Sequence, residues 1–278
     1  MISNARMYSV VPGAGQLWQR LFEGISTAAG VQLEYLEHRP PAPINELWGR
    51  HDLGAVFMCG LPFARSIPRP RIVAAPVPAP AAFQGQPQYW SELVVRRESR
   101  LEAIEDTFGH RIALTTMDSQ SGCLAVLHHL MPAGGKRALY HRVIEPRLTP
   151  LGVMTAVVDG LAEVAPVDSY AFVLAQKYIP ELTSQLKVVG RTVPTPIPPL
   201  VASRAVEPSL ESAFLEAHKD RSMASLMANL QVARFVRPDP EAYDVLKRRF
   251  DAAITYWRQH PFASSVHPGF AELATGPR

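Results

Sequence analysis

The fold class is written most plainly in residues 111–127: Arg111-Ile112-Ala113-Leu114-Thr115-Thr116-Met117-Asp118-Ser119-Gln120-Ser121-Gly122-Cys123-Leu124-Ala125-Val126-Leu127. An apolar run with threonines at its end reads as a buried strand. Small hydroxyl residues ahead of a second apolar run read as a helix start. A strand handing over to a helix through Ser-Gln-Ser-Gly is an α/β unit, and it is also a place to hold an anion. The first amides of a helix have no intrahelical acceptor, and the helix dipole puts partial positive charge there. Ser119 and Ser121 add hydroxyl donors, Gln120 adds an amide, and Gly122 lets a ligand approach the backbone. Taken alone, the same residues also read as an ordinary helix cap with nothing bound.

Working outward toward the N-terminus, Met7-Tyr8-Ser9-Val10-Val11 reads as a first strand closed by Pro12-Gly13. A helix is expected over residues 16–29, with Leu17, Leu21, Phe22, Ile25 and Ala29 at helical spacing and Gly30 as its stop. Val31, Leu33 and Tyr35 alternate with polar residues as in a strand. A short helix over 44–50 precedes the buried strand Ala55-Val56-Phe57-Met58, which ends at Cys59-Gly60-Leu61-Pro62. Residues 71–75 form another strand, interrupted by Pro76, Pro78 and Pro80. After a crossing at 81–88, residues 91–97 form a strand and Ser99 opens a short helix.

Toward the C-terminus, His141-Arg142-Val143-Ile144 reads as an edge strand. Thr149-Pro150 opens a helix as cap and first helical residue. A strand leads to Asp168-Ser169-Tyr170, a helix follows, and Leu186-Lys187-Val188-Val189 is a further strand. The run Thr192-Val193-Pro194-Thr195-Pro196-Ile197-Pro198-Pro199 cannot be helix interior or central strand, so it is a second crossing. Helices are expected over 208–218, 222–232 and 241–260. The last carries Tyr243, Leu246, Phe250, Ala253, Ile254 and Trp257 on one stripe, and the tail from Pro261 reads as a loop.

The alternation of strands and helices gives an α/β fold of two three-layer lobes joined by two extended crossings. Residues 1–88 with 199–278 make one lobe and residues 89–198 the other. Two crossings make a hinge, and a ligand belongs in the cleft between lobes, at the carboxyl ends of strands. The expected contacts are Tyr8, Cys59, Gly60, Tyr89, Ser119, Gln120, Ser121, Gly122 and Asp168.

Composition narrows the function. A chain of 278 residues, 47% hydrophobic, is long enough to build two cores. A net charge of +3 is too small to argue for nucleic acid or an anionic membrane surface. Two cysteines, Cys59 and Cys123, make neither a disulfide framework nor a metal-site spacing. His128-His129 are adjacent, so they face different sides of a helix and do not form a ligand pair. Lys247-Arg248-Arg249 reads as a solvated helix face. No apolar run reaches the length of a membrane span. The first residues lack the basic and apolar regions of a secretory signal. The expected location is periplasmic if a signal was removed and cytoplasmic otherwise. No catalytic residue, metal or cofactor is expected. A carboxylate such as Asp168 without an evident acid–base partner favours binding over catalysis.

The ordered set of motifs resembles the phosphonate-binding, PhnD-like branch of substrate-binding proteins of ABC transporters. Met7-Tyr8 is similar to an early Met-Tyr pair of that family. Cys59-Gly60-Leu61-Pro62 is similar to its Cys-Gly-x-Pro loop, and Tyr89-Trp90-Ser91-Glu92-Leu93 to the strand entering its second lobe. Ser119-Gln120-Ser121-Gly122 matches its Ser-x-Ser-Gly anion loop, and the segment from Val157 to Asp168 its Gly-x-Ala-Asp…Asp region. The resemblance implies a periplasmic-binding-protein type II fold and capture of a small anionic or zwitterionic ligand by lobe closure. An ABC transporter permease would be the partner. It also implies that the serine loop holds phosphoryl-type oxygens, that Tyr8 and Tyr89 wall the cleft, and that Asp168 meets a ligand donor. One place departs: where the family often carries Gly-Ser-His, this chain reads Leu148-Thr149-Pro150. The binding reading covers a related sensor as well as a transporter component, and an enzyme of cofactor or precursor biosynthesis on the same two-lobed fold is the alternative.

Overall fold

A computed structural model describes residues 1–144 and 147–265. In chain order its strands are β1 (Ile2–Asn4), β2 (Glu34–Tyr35), β3 (Leu53–Phe57), β4 (Arg71–Pro78), β5 (Gln88–Tyr89), β6 (Ser91–Arg96) and β7 (Arg111–Ala113). They continue as β8 (Tyr140–Ile144), β9 (Val164–Asp168), β10 (Leu186–Arg191), β11 (Thr195–Pro196), β12 (Leu200–Ala202), β13 (Val232–Val236) and β14 (Ala263–Ser265). Hydrogen bonding sorts them into a sheet ordered β13-β4-β12-β3-β1-β2, a sheet ordered β10-β6-β9-β7-β8-β14, and the small pair β5-β11. Helices pack on both sheets, so the expected α/β class holds.

In the first sheet β1, β2 and β3 are parallel, and their carboxyl ends share one edge. The helix Ala14–Ala29 buries Trp18, Leu21, Phe22 and Ile25 as its apolar stripe. Trp18 meets Phe57 edge-on at 5.0 Å, and Phe22 meets Phe214 at 6.1 Å. The helix stops where the sequence places Gly30, whose φ of +64° is costly for any residue with a Cβ. In the second sheet β7, β8 and β9 are parallel, and β6 runs antiparallel to β9 with Ser91 opposite Asp168. One edge of this sheet therefore gathers the end of β7, the end of β8, Asp168 and Ser91.

Contacts divide the chain into two compact units. One comprises residues 1–89 with 195–244, and the other residues 90–194 with the described residues from 245 to 265. This corrects the expected lobes at the C-terminus, which placed residues 199–278 with the first. The chain passes between the units three times, after residues 89, 194 and 244. The reason lies in the helix Asp244–Trp257. Its stripe is buried at Leu246, Ala253, Ile254 and Trp257, as the periodicity requires. The Trp257 indole N–H donates to the Leu127 carbonyl at 2.8 Å, and its ring meets Phe262 edge-on at 5.1 Å. β14 then pairs in parallel with β8. Periodicity says which face is covered and not by which sheet.

Several smaller expectations are corrected. The first strand is Ile2–Asn4, not residues 7–11. Asn4 Oδ1 accepts the Arg6 amide at 2.8 Å, and residues 6–8 wind into a single 3-10 turn. β4 runs through Pro76 and Pro78, opposite Phe235 and Val232 of a strand that sequence alone read as the end of a helix and the segment after it. The helix expected from Ser99 is only the 3-10 turn Glu105–Thr107. β8 is not an edge strand, because β14 covers it. That pairing also replaces the first part of the expected C-terminal loop, and residues 266–278 lie outside the described residues. Among the described residues no helix is long and apolar enough to cross a membrane.

Candidate functional site

The site is built on the second sheet, where β7 ends. Two residues after Ala113, the Thr115 amide donates to the Gly122 carbonyl at 3.3 Å, which folds the intervening residues into a closed turn. The Ser119 amide donates to the Thr116 carbonyl at 3.1 Å. Ser119 caps the helical segment that follows: its Oγ accepts the Gly122 amide at 3.1 Å. Sequence alone expected the helix to begin about Cys123. It begins three residues earlier as the π-helical turn Gln120–Leu124, with the Leu124 amide reaching the Ser119 carbonyl at 3.1 Å, and continues as Ala125–His129. A π turn opens the ring of backbone groups by one residue, a distortion found disproportionately at functional sites.

Gly122 is required by a close approach. A Cβ there would stand 1.8 Å from Thr115 Oγ1 and 2.8 Å from Thr115 Cβ and Cγ2. Gly122→Ala is therefore expected to destabilise the protein by about 1–3 kcal/mol through overpacking. Replacing Thr115 by alanine as well should recover part of the loss, since it removes the nearest atom. Thermal unfolding of the two variants checks this.

Neighbouring strands fix the turn from below. Ser91 Oγ, at the start of β6, donates to the Ser121 carbonyl at 2.7 Å. Ser121 Oγ–H points to Asp168 Oδ2 at 3.4 Å, near the limit of a hydrogen bond. Asp168 ends β9 and caps the helix Ser169–Tyr178, its Oδ1 accepting the amides of Tyr170 and Ala171 at 2.9 Å each. The Ser169 amide donates to the Trp90 carbonyl at 2.9 Å, and Ser169 Oγ accepts the Trp90 amide at 3.1 Å, which locks the start of β6 to the end of β9. Burial pushes the Tyr170 phenol well above the ordinary tyrosine range, and the Asp168 carboxylate adds to that. Tyr170 is therefore a neutral neighbour of Asp168.

The sequence-expected residues thus fall into two groups. The structure brings together Ser119, Gln120, Ser121, Gly122 and Asp168 at one sheet edge of the second unit. Ser119 and Ser121 are half-buried, whereas Gln120 is 2% and Asp168 5% exposed. Tyr8, Cys59, Gly60 and Tyr89 belong to the first unit. Tyr8 is 1% exposed and meets Phe57 edge-on at 5.0 Å, and Tyr89 is equally buried. Cys59 lies just beyond the end of β3, after Met58, and its carbonyl accepts the Phe63 amide in the first turn of the helix Gly60–Arg65. Two residues at the serine turn carry no local mark in the sequence: Thr115 and Arg147. The Arg147 amide donates to the carbonyls of Leu114 at 3.2 Å and Thr115 at 3.3 Å, so its backbone docks on the end of β7. Only strand order places it there, and strand order is not written in local sequence. Among the described residues no cluster of three histidine, cysteine or acidic side chains is arranged to hold a metal.

Comparison with known proteins bears on this arrangement. A family described as "ABC transporter, phosphonate, periplasmic substrate-binding protein" matches residues 14–243. No curated protein matches the chain. Among solved structures, the binding-protein component of an ABC phosphonate transporter from Pseudomonas aeruginosa is similar with a TM-score of 0.75 and 17% identity, over 93% of this chain and 86% of that one. PhnD1 from Prochlorococcus marinus in complex with methylphosphonate is similar with a TM-score of 0.75 and 17% identity, over 90% of this chain and 96% of that one. The ligand-binding core of GluR0 from Nostoc punctiforme in complex with L-glutamate is similar with a TM-score of 0.54 and 13% identity, over 82% and 97%. At these identities the likeness carries the fold, which is that of type II periplasmic binding proteins.

Proposed function

Because this chain belongs to the family of periplasmic substrate-binding proteins of phosphonate ABC transporters, we propose that it captures a phosphonate- or phosphate-like oxyanion on the serine turn at residues 118–122. It is the non-catalytic, ligand-binding component of an ABC transporter, and the enzyme alternative is not favoured, since the family consists of transport proteins. Its work lies outside the cytoplasm, in the periplasm on this reading, where it would deliver its ligand to the transporter permease.

The observation that carries the ligand class is the donor set of the turn. Ser119 Oγ already accepts one bond, from the Gly122 amide, so its proton is left to donate. The Ser121 proton is held only by the long contact to Asp168, so turning it to a ligand oxygen gives up little. The opening amides of the π turn add main-chain donors and the positive end of the helix. Asp168, anchored by two amides, is an acceptor for any donor the ligand carries. On this reading Gln120 and Gly122, in the same turn, complete the ligand's surroundings within the second unit. The fold likeness to a protein in complex with methylphosphonate supports that choice of probe.

Thermal unfolding in the presence of small anions tests the proposal. A ligand at one hundred times its Kd stabilises the folded state by about 2.7 kcal/mol, which for a chain of this size corresponds to roughly 5–10 °C. Methylphosphonate or phosphate is expected to produce such a rise, and sulfate or acetate a smaller one. A panel of phosphonates, phosphate and phosphate esters that leaves the melting temperature unmoved would refute it.

A further inference from the structure

Two buried polar atoms have no hydrogen-bond partner among the described residues: Thr115 Oγ1, which lies against Gly122 of the serine turn, and Nε of the half-buried Arg147, whose backbone docks on the end of β7. They come from neighbouring parallel strands. Thr115 follows β7, Arg147 follows β8, and the Arg147 amide is bonded to the Leu114 and Thr115 carbonyls. Thr115 is 5% exposed, and its hydroxyl lies against Gly122 in the turn itself. Arg147 is held as firmly from the other side. Its carbonyl accepts the Thr149 amide at 2.6 Å and lies so near Gly152 that a Cβ there would come within 2.2 Å. The intervening Leu148 sits at a φ of +58°, a conformation that residues with a side chain seldom adopt.

Among the described residues Arg147 joins no ion pair. A guanidinium N–H and a hydroxyl taken from water without partners destabilise the ligand-free protein. Their natural complement is an oxyanion. Guanidinium presents its donors in a planar fork that matches phosphonate and phosphate oxygens, and a threonine hydroxyl adds one more donor.

We propose that Arg147, assisted by Thr115, is the charge-reading part of the oxyanion site. The inference rests on the serine turn being that site, and it goes further by assigning a cation to it. The turn supplies neutral donors, and Arg147 supplies the positive charge that makes the preferred ligand an anion rather than a neutral or zwitterionic molecule. It stands immediately before Leu148-Thr149-Pro150, where no side chain offers a cation.

Isothermal titration of the full chain with methylphosphonate and with inorganic phosphate, at low and at physiological salt, tests this. The chains compared are wild type, Arg147→Gln, Arg147→Lys, Thr115→Val and the double variant Ser119→Ala/Ser121→Ala. Arg147→Gln is expected to weaken binding of both probes by on the order of 10- to 100-fold and to flatten the salt dependence. Arg147→Lys should retain part of the affinity, and Thr115→Val should lose roughly tenfold. Neither Arg147→Gln nor Thr115→Val should lower the melting temperature of the ligand-free protein, because each removes an unpartnered group.

If Arg147→Gln and Thr115→Val bind as wild type does while the double serine variant does not, the serine turn stands as the site and the role of Arg147 is overturned. If the double serine variant binds normally and Arg147→Gln does not, the anion sits on Arg147 and the reading of the turn fails instead. A ligand-free protein that melts well below wild type in Arg147→Gln, with affinity retained by Arg147→Lys and Thr115→Val, would make Arg147 structural and overturn the proposal.

Discussion

Replacing Ser119 and Ser121 together by alanine is expected to abolish the anion-induced rise in melting temperature and to weaken methylphosphonate binding at least about 100-fold. Hydrogen bonds to a charged group are each worth about 1.5–3 kcal/mol, and the pair removes two. The ligand-free protein should change far less. Ser119 loses its cap to the Gly122 amide, a change of about 1 kcal/mol. Ser121 Oγ loses only its 3.4 Å contact with Asp168, while the Ser121 carbonyl keeps its bond from Ser91. A large loss of binding beside a small loss of stability separates ligand contact from simple capping. Calorimetric titration and melting of the free protein, measured on the same preparation, give both quantities. Unchanged affinity would remove the turn from the site.

Trp257→Ala is expected to destabilise the protein by about 3–5 kcal/mol, the cost typical of truncating a buried aromatic. Trp257 is 5% exposed, and its indole N–H satisfies the Leu127 carbonyl. Leu127 belongs to the same helical segment that opens at the serine turn. The substitution thus leaves a cavity and an unpaired carbonyl behind the site. Trp257→Phe, which fills much of the space without the donor, should cost less, and the difference between the two separates packing from hydrogen bonding. If the helix Asp244–Trp257 belonged with the first unit, as its position in the sequence suggests, the loss would leave amides of β7 and β8 as protected as in the wild type. The pairing of β14 with β8 predicts instead that hydrogen exchange accelerates in those strands.

How much of this was legible in the sequence depends on whether the information is local. The unit of β7, serine turn and helix was legible because a buried strand, a capping serine and a close-approach glycine each leave a local mark. The Thr149 cap with Pro150 at the first helical position was legible for the same reason, and Thr149 Oγ1 does accept the Gly152 amide at 3.0 Å. Asp168 was legible as a residue between a strand and a helix, and it ends β9 and caps the helix Ser169–Tyr178. The first strand was misplaced because Met7 to Val11 is apolar enough to pass for a strand, whereas Tyr8 is buried from a 3-10 turn. β13 was missed because Val232 to Val236 follows a helix with no proline or glycine between them. The remaining misses are non-local. Trp257 and its stripe announce a covered face without naming the cover. Arg147 is one arginine among many until β8 is set beside β7.

The central claim is that the oxyanion sits on the turn formed by Ser119, Gln120, Ser121 and Gly122. A crystal structure with methylphosphonate bound tests it most directly. Phosphonate oxygens are expected within hydrogen-bond distance of Ser119 Oγ and Ser121 Oγ. Phosphonate density elsewhere, with both hydroxyls still engaged as in the free protein, would contradict it.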